Sequence, residues 1–430
     1  MRLELCHAFV RDVQWGDRTA LNEGVLRVNK AAALDLLSGE KRFSAVDLDL
    51  ARPGESVRII PVKDVIEPRC KLSGKGECFP GIIGGPETVG NGSTLVLKGA
   101  AVVTVGPIVS IQEGLIDMSG PATEYNPYGQ TCNVCLVVKP AKGIEKAEYE
   151  SALRLAGIRL AWYLADACRD ARVDETEVFE TTDSVEGKVA ECGTDLPRFV
   201  YVCQAISQGL LHDTFLYGVD VKRILPTLLQ PQEILDGAMV SANCVSACDK
   251  QNTFHHQNNP VVLELCRRHG KDLNFLGVIV TTEMMTLVGK IRSSEYTVKL
   301  ARMLGAQVAI ITEEGCGNPD SDICMNAKNL EEAGIRTVVI GNEVAGQDGA
   351  SQGLADVVPQ MDAYVSCGNI NEVVVLPPME RVIGDIAAIG NVSGGDEKSI
   401  RPDGSIACEI QSIIGSTNEL GISKIGCEWI

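Results

Sequence analysis

Short apolar runs broken by glycine, proline and aspartate fill the first 140 residues. Gly24-Val25-Leu26-Arg27-Val28, Ser56-Val57-Arg58-Ile59-Ile60-Pro61-Val62, Ala100-Ala101-Val102-Val103-Thr104-Val105 and Cys135-Leu136-Val137-Val138 each have the length of a strand, and only residues 30–37 read as a helix. Glycine-rich text at 74–81 and 84–92 fits turns between strands. Neither stretch fits the strand, Gly-rich turn and Lys-Ser/Thr pattern of a phosphate-binding loop. Residues 145–172 carry Leu153, Ala156, Leu160, Tyr163, Leu164 and Ala167 at three- and four-residue steps, which predicts a helix with one face on a core. A buried strand at 199–203 and a helix-rich segment over 213–234 follow.

After Pro260 the pattern alternates. Strands are expected at 275–280, 307–312, 337–340, 363–366 and 372–376, with helices at 295–304 and 324–333. Continuous Val/Ile runs separated by helices predict a parallel sheet buried on both faces. The expected class is α/β overall: a mostly β N-terminal region, then a doubly wound parallel α/β part. Ligands gather at the C-terminal strand ends of such sheets, here 281–285, 313–318, 341–343 and 367–371. None of these loops carries GxGxxG, so a dinucleotide site is unsupported.

Composition narrows the partners. A formal charge of −18 repels nucleic acid and anionic lipid, which leaves small molecules and other proteins. No apolar stretch reaches the roughly 18 residues of a membrane span and no signal-peptide pattern opens the chain, so a cytoplasmic protein is expected. Its 16 cysteines are then expected to be reduced. Cys132-Asn133-Val134-Cys135 has the spacing of a redox or zinc half-site, but no second pair completes it and it lies within strand text, so packing is the expected role.

The chemistry concentrates at 241–260, which reads Ser-Ala-Asn-Cys-Val-Ser-Ala-Cys-Asp-Lys-Gln-Asn-Thr-Phe-His-His-Gln-Asn-Asn-Pro. These twenty residues hold two thiols, two of the five histidines and four asparagines. Three readings are open. Cys244 or Cys248 is a nucleophile with His255 or His256 as base. Alternatively these four side chains bind a metal, although their spacing is irregular for a structural zinc site and no metal ligand is assigned. In the third, the chain processes itself: a thiol attacks the preceding carbonyl, elimination cuts the chain, and hydrolysis leaves an N-terminal pyruvoyl group that acts on amines by Schiff-base condensation.

Four segments carry a family resemblance. They are Met1-Arg2-Leu3-Glu4-Leu5; residues 50–59 with 61–69, Leu-Ala-Arg-Pro-Gly-Glu-Ser-Val-Arg-Ile and Pro-Val-Lys-Asp-Val-Ile-Glu-Pro-Arg; residues 113–121, Glu-Gly-Leu-Ile-Asp-Met-Ser-Gly-Pro; and residues 243–250, Asn-Cys-Val-Ser-Ala-Cys-Asp-Lys. Together they make nearly the whole chain resemble the proprotein of the substrate-specific protein B of glycine, sarcosine and betaine reductases. The resemblance implies a cut between Asn243 and Cys244, with Cys244 the source of a pyruvoyl cofactor. It also implies a selenoprotein subunit of the same protein B as partner, with a small selenoprotein and an acetyl-phosphate-forming component downstream in a hetero-oligomeric assembly. The implied substrate is a small amino acid, glycine foremost. Betaine's quaternary nitrogen forms no Schiff base.

On this reading the chain divides into a mostly β domain 1–140, an α/β segment 141–243 ending at the cut, and an α/β domain 244–430. His255, His256 and Cys248 are candidate assistants, and Lys250 and Arg52 are candidates for the substrate carboxylate. The competing expectations are a non-catalytic acidic substrate-binding or scaffold subunit, and a thiol enzyme that uses unprocessed Cys244.

Overall fold

In the computed structural model of the 430-residue chain, residues 1–110, 112, 114–192, 195–208, 214–241 and 251–420 are described. The first 140 residues form β1 (Arg2–Phe9), β2 (Phe43–Ala51), β3 (Val57–Ile60), β4 (Val62–Ile66), β5 (Arg69–Lys71), β6 (Gly92–Lys98), β7 (Ala100–Val105) and β8 (Cys132–Pro140), with a short helix at Lys30–Asp35. One mixed sheet has the order β2-β8-β7-β4. Side-chain alternation turns Val102, Val134 and Leu136 to one face, where they meet Leu153 and Ala156 of helix α1 (Lys146–Asp166). Val103 and Cys135 take the other face. Gly157 lets α1 approach closely, because a Cβ there would lie 2.4 Å from Thr104 Cγ2. Strand β9 (Glu175–Glu180) completes a second sheet, β9-β1-β6-β5.

The elements that follow are β10 (Arg198–Ile206), β11 (Phe215–Leu216), β12 (Thr227–Leu229), β13 (Met239–Val240), α2 (Thr253–Gln257), α3 (Pro260–Arg268), β14 (Asn274–Glu283), α4 (Leu287–Met303), β15 (Val308–Thr312), α5 (Asp320–Glu332), β16 (Arg336–Glu343) and β17 (Tyr364–Asn369). They build a six-stranded sheet in the order β12-β14-β10-β15-β16-β17, parallel apart from edge strand β12. Counted along the chain, its parallel strands run 2-1-3-4-5, a doubly wound order whose direction reverses between β10 and β15. Helices α4 and α5 cover the face of Val200, Val202, Ile279 and Ile311. Helix α3 covers Tyr201, Cys203, Val278 and Val280 on the other.

Three expectations are corrected. The parallel sheet does not begin after Pro260: β10 lies at its centre, bonded to β14 and β15. The strand expected at 372–376, β18 (Val373–Leu376), stands outside this sheet. It pairs antiparallel with β20 (Ile406–Glu409), while β19 (Arg381–Gly384), which lies between them in sequence, returns to pair with β3. Residues 213–234 are not helix-rich. Tyr217 and Gly218 both adopt positive φ and close a tight hairpin from β11 to Val219–Asp220; among the described residues a single 3-10 turn follows at Val221–Arg223, and α-helix is confined to the five residues Pro231–Leu235.

Candidate functional site

In open α/β sheets a crevice forms beyond the C-terminal strand ends where strand order reverses. Here that place lies past Ile206 of β10 and Thr312 of β15, and residues 251–259 run into it. All nine are buried although eight of them, all but Phe254, carry polar side chains, groups that are costly to bury without partners. Asn252 caps α2 by accepting from His255 N–H at 2.9 Å, and its Nδ2 donates to the Tyr128 hydroxyl at 2.5 Å. Gln257 acts as a substitute strand, accepting from Glu67 N–H at 2.9 Å and donating to the Glu67 carbonyl at 3.0 Å. Asn259 caps α3 through Val262 N–H at 2.9 Å, and its Nδ2 donates to Tyr201 on β10 at 3.3 Å. Phe254 anchors α2 in the second face of the N-terminal sheet, its ring edge-on to Tyr128 with centroids 5.4 Å apart.

Asp64 fastens both ends of the stretch 242–250. Its carboxylate accepts from Thr253 N–H at 2.9 Å and from Thr253 Oγ1 at 2.6 Å, and the same Oγ1 accepts from Ser241 N–H at 3.0 Å. Asn243 and Cys244, the pair at which a cut is expected from sequence, lie with Cys248 and Lys250 within 242–250, outside the described residues.

The two predicted histidines are brought together in the crevice, 0% and 1% exposed, with ring centroids 6.2 Å apart. His255 Nε2 lies 3.2 Å from Glu419 Oε2, and His256 Nε2 lies 3.6 Å from Glu314 Oε1. Neither contact has hydrogen-bond geometry, and all four ring nitrogens are without a hydrogen-bond partner among the described residues. Glu314 is itself held firmly: its Oε2 accepts from Ile206 N–H at 2.8 Å and from Thr214 Oγ1 at 2.7 Å, while its own N–H donates to Glu283 Oε1 at 3.0 Å. Burial, reinforced by Asp322 and Glu314, pushes the Glu283 carboxyl well above the usual range.

The remaining predicted positions are elsewhere. Arg52 is partly exposed and engaged with Asp12 at 3.0 Å and Glu55 at 2.8 Å. Cys132 and Cys135 are buried on β8 with their side chains in cores on opposite faces, so they converge on neither a disulfide nor a metal. Among the described residues no three His, Cys, Asp or Glu side chains are grouped to hold a metal ion, and no helix is long and apolar enough to cross a membrane.

Comparison with known proteins places this arrangement. Residues 1–428 match the family model of glycine/sarcosine/betaine reductase component B subunits. The chain belongs to that family. It is 50% identical over 428 residues to the glycine reductase complex component B subunits alpha and beta of Peptoclostridium acidaminophilum, covering 100% of both chains. It is 49% identical to the sarcosine reductase complex component B subunit alpha of the same organism, covering 99% of each, and 38% identical to its betaine reductase counterpart, covering 98% of each. No solved structure matches. As a component B chain it is an oxidoreductase subunit.

Asp64, Glu314 and Glu419 were not singled out as site residues from sequence. Asp64 stands in the quoted segment 61–69 and Glu314 in a loop already marked by its strand end, so both had a signal. Glu419 had none, since it meets His255 across 164 positions of sequence.

Proposed function

We propose that this chain is the precursor of the pyruvoyl-bearing subunits of a selenium-dependent amino-acid reductase, cut between Asn243 and Cys244, with glycine as substrate. The observation that carries this reading is the pair of buried histidines whose ring nitrogens lack hydrogen-bond partners among the described residues, set beside a stretch whose ends Asp64 fastens. Orphaned donors and acceptors in a dry crevice fit a carbonyl group borne by the adjoining chain. A pyruvoyl group formed from Cys244 would supply an electrophilic ketone for the substrate amine.

The rest of the work falls to ordinary side chains. His256 holds or moves a proton at Nε2, with the Glu314 carboxylate facing it and fixed by Ile206 and Thr214. His255 does the same at Nε2 against Glu419. Asp64 and Thr253 hold the backbone on either side in register, and full burial of 251–259 excludes water. The printed names support the cut, since one relative of equal length is named for two subunits, alpha and beta. Names that make the relatives components of a complex support assembly with further subunits; the partners in this reading are a selenoprotein subunit of the same protein B, then a small selenoprotein and an acetyl-phosphate-forming component.

Intact-mass analysis of protein from its native host tests the reading. Fragments 1–243 and 244–430 are expected, and Cys244→Ala should abolish both cleavage and turnover. A single 46.0 kDa chain in active complex, or an active Cys244→Ala variant, would overturn it. Release of ammonia rather than methylamine or trimethylamine by the reconstituted complex tests glycine against sarcosine and betaine.

A further inference from the structure

Among the described residues the buried cations other than Arg154 are held by strong acceptors: Arg58 by Asp117, Lys63 by Glu150, Arg69 by Glu67, Lys71 by Asp236, Lys290 by Asp322, and Lys188 by the Gln230 side-chain oxygen and the Leu276 carbonyl. Arg154 of α1 breaks the pattern. It is 6% exposed, yet its Nε and Nη1 have no partner among the described residues, and its Nη2 reaches only the Ser151 hydroxyl at 3.4 Å. Asp220, Glu150 and Asp64 act on it only from a distance, and burial dominates, lowering its pKa to about 10. Among the described residues that guanidinium is short of an acceptor, and a planar donor group of this kind suits a carboxylate.

Its neighbours link it to the residues of the proposed site. The guanidinium lies over the Phe215 ring, 4.0 Å from the centroid. Phe215 pairs with Val240, the residue before Ser241, and its neighbour Thr214 donates to Glu314. Arg154 therefore flanks β11, the partner of strand β13 that leads into 242–250. Glycine, sarcosine and betaine, the substrates in the relatives' names, differ at nitrogen and share a carboxylate.

We infer that Arg154 is the carboxylate anchor of the substrate site, an inference that rests on the reading proposed above. The test uses the full chain with acetate as a carboxylate probe, ethylamine as an amine probe and chloride as the salt control. Acetate is expected to raise the unfolding temperature of the wild type, and ethylamine is not. Arg154→Met should lose the acetate response and, in the reconstituted complex, raise KM for the amino acid roughly 10- to 100-fold, by more than kcat falls. Arg154→Lys, which keeps the charge without the fork, should retain part of the response, and it serves if the methionine variant fails to fold. A wild type indifferent to acetate, or either variant with wild-type acetate response and KM, would overturn the anchor. Mass analysis separates the two ideas: an acetate response lost on substitution, in a chain that is never cut, supports the anchor and sinks the pyruvoyl reading.

Discussion

Glu283 shows how one buried residue writes itself into the pH dependence of the whole fold. Its Oε1 accepts from Glu314 N–H, its Oε2 has no hydrogen-bond partner among the described residues, and burial raises its pKa well above 4.5. A carboxyl raised on folding contributes stability that is fully present below the unfolded pKa and is lost as pH rises through the folded one. Glu283→Gln keeps the acceptor and removes the titration. The variant should therefore gain stability relative to wild type as pH is raised above about 4.5, measured by urea unfolding at a series of pH values. Parallel pH profiles for the two proteins would show that folding does not raise the Glu283 carboxyl.

At the scale of elements, α2 is too short to be stable alone and is held by its neighbours. Gln257 supplies two of the bonds that hold it, both to the backbone of Glu67. Gln257→Ala leaves a buried N–H and C=O unmatched and should cost about 2–4 kcal/mol, read from the urea midpoint at unchanged slope. A loss below about 0.5 kcal/mol would mean that water replaces the side chain. The two-residue cysteine spacing shows the reverse case. On a strand, residues three apart point to opposite faces, and burial pushes the Cys132 thiol up to about 11. A pattern that suggests chelation on a helix or turn becomes packing once the strand is formed.

At the scale of the molecule, the proposed cut does not divide the structure. Strands β10 and β12 precede residue 243 and β14 to β17 follow it, yet they share one sheet, with β10 bonded on both sides by later strands. The later strand β19 also joins β3, at a point where Gly384 is required because a Cβ would lie 1.9 Å from the Ile60 carbonyl oxygen. Fragments 1–243 and 244–430 should therefore co-elute in gel filtration under native conditions and separate only in concentrated guanidinium chloride. Separation in native buffer would refute the shared sheet or the position of the cut. The sequence by itself determined what depends on local periodicity and on a continuous motif: the β-rich start, helix α1, the parallel strands after Pro260, and the polar density of 241–260 with its family likeness. Tertiary structure decided what depends on contacts between distant residues: the central place of β10, the return of β19 to β3, and the meeting of His255 with Glu419, His256 with Glu314 and Thr253 with Asp64. Those pairs are 58 to 189 positions apart, and no local pattern of hydrophobicity records which distant side chain will come to face a buried polar neighbour.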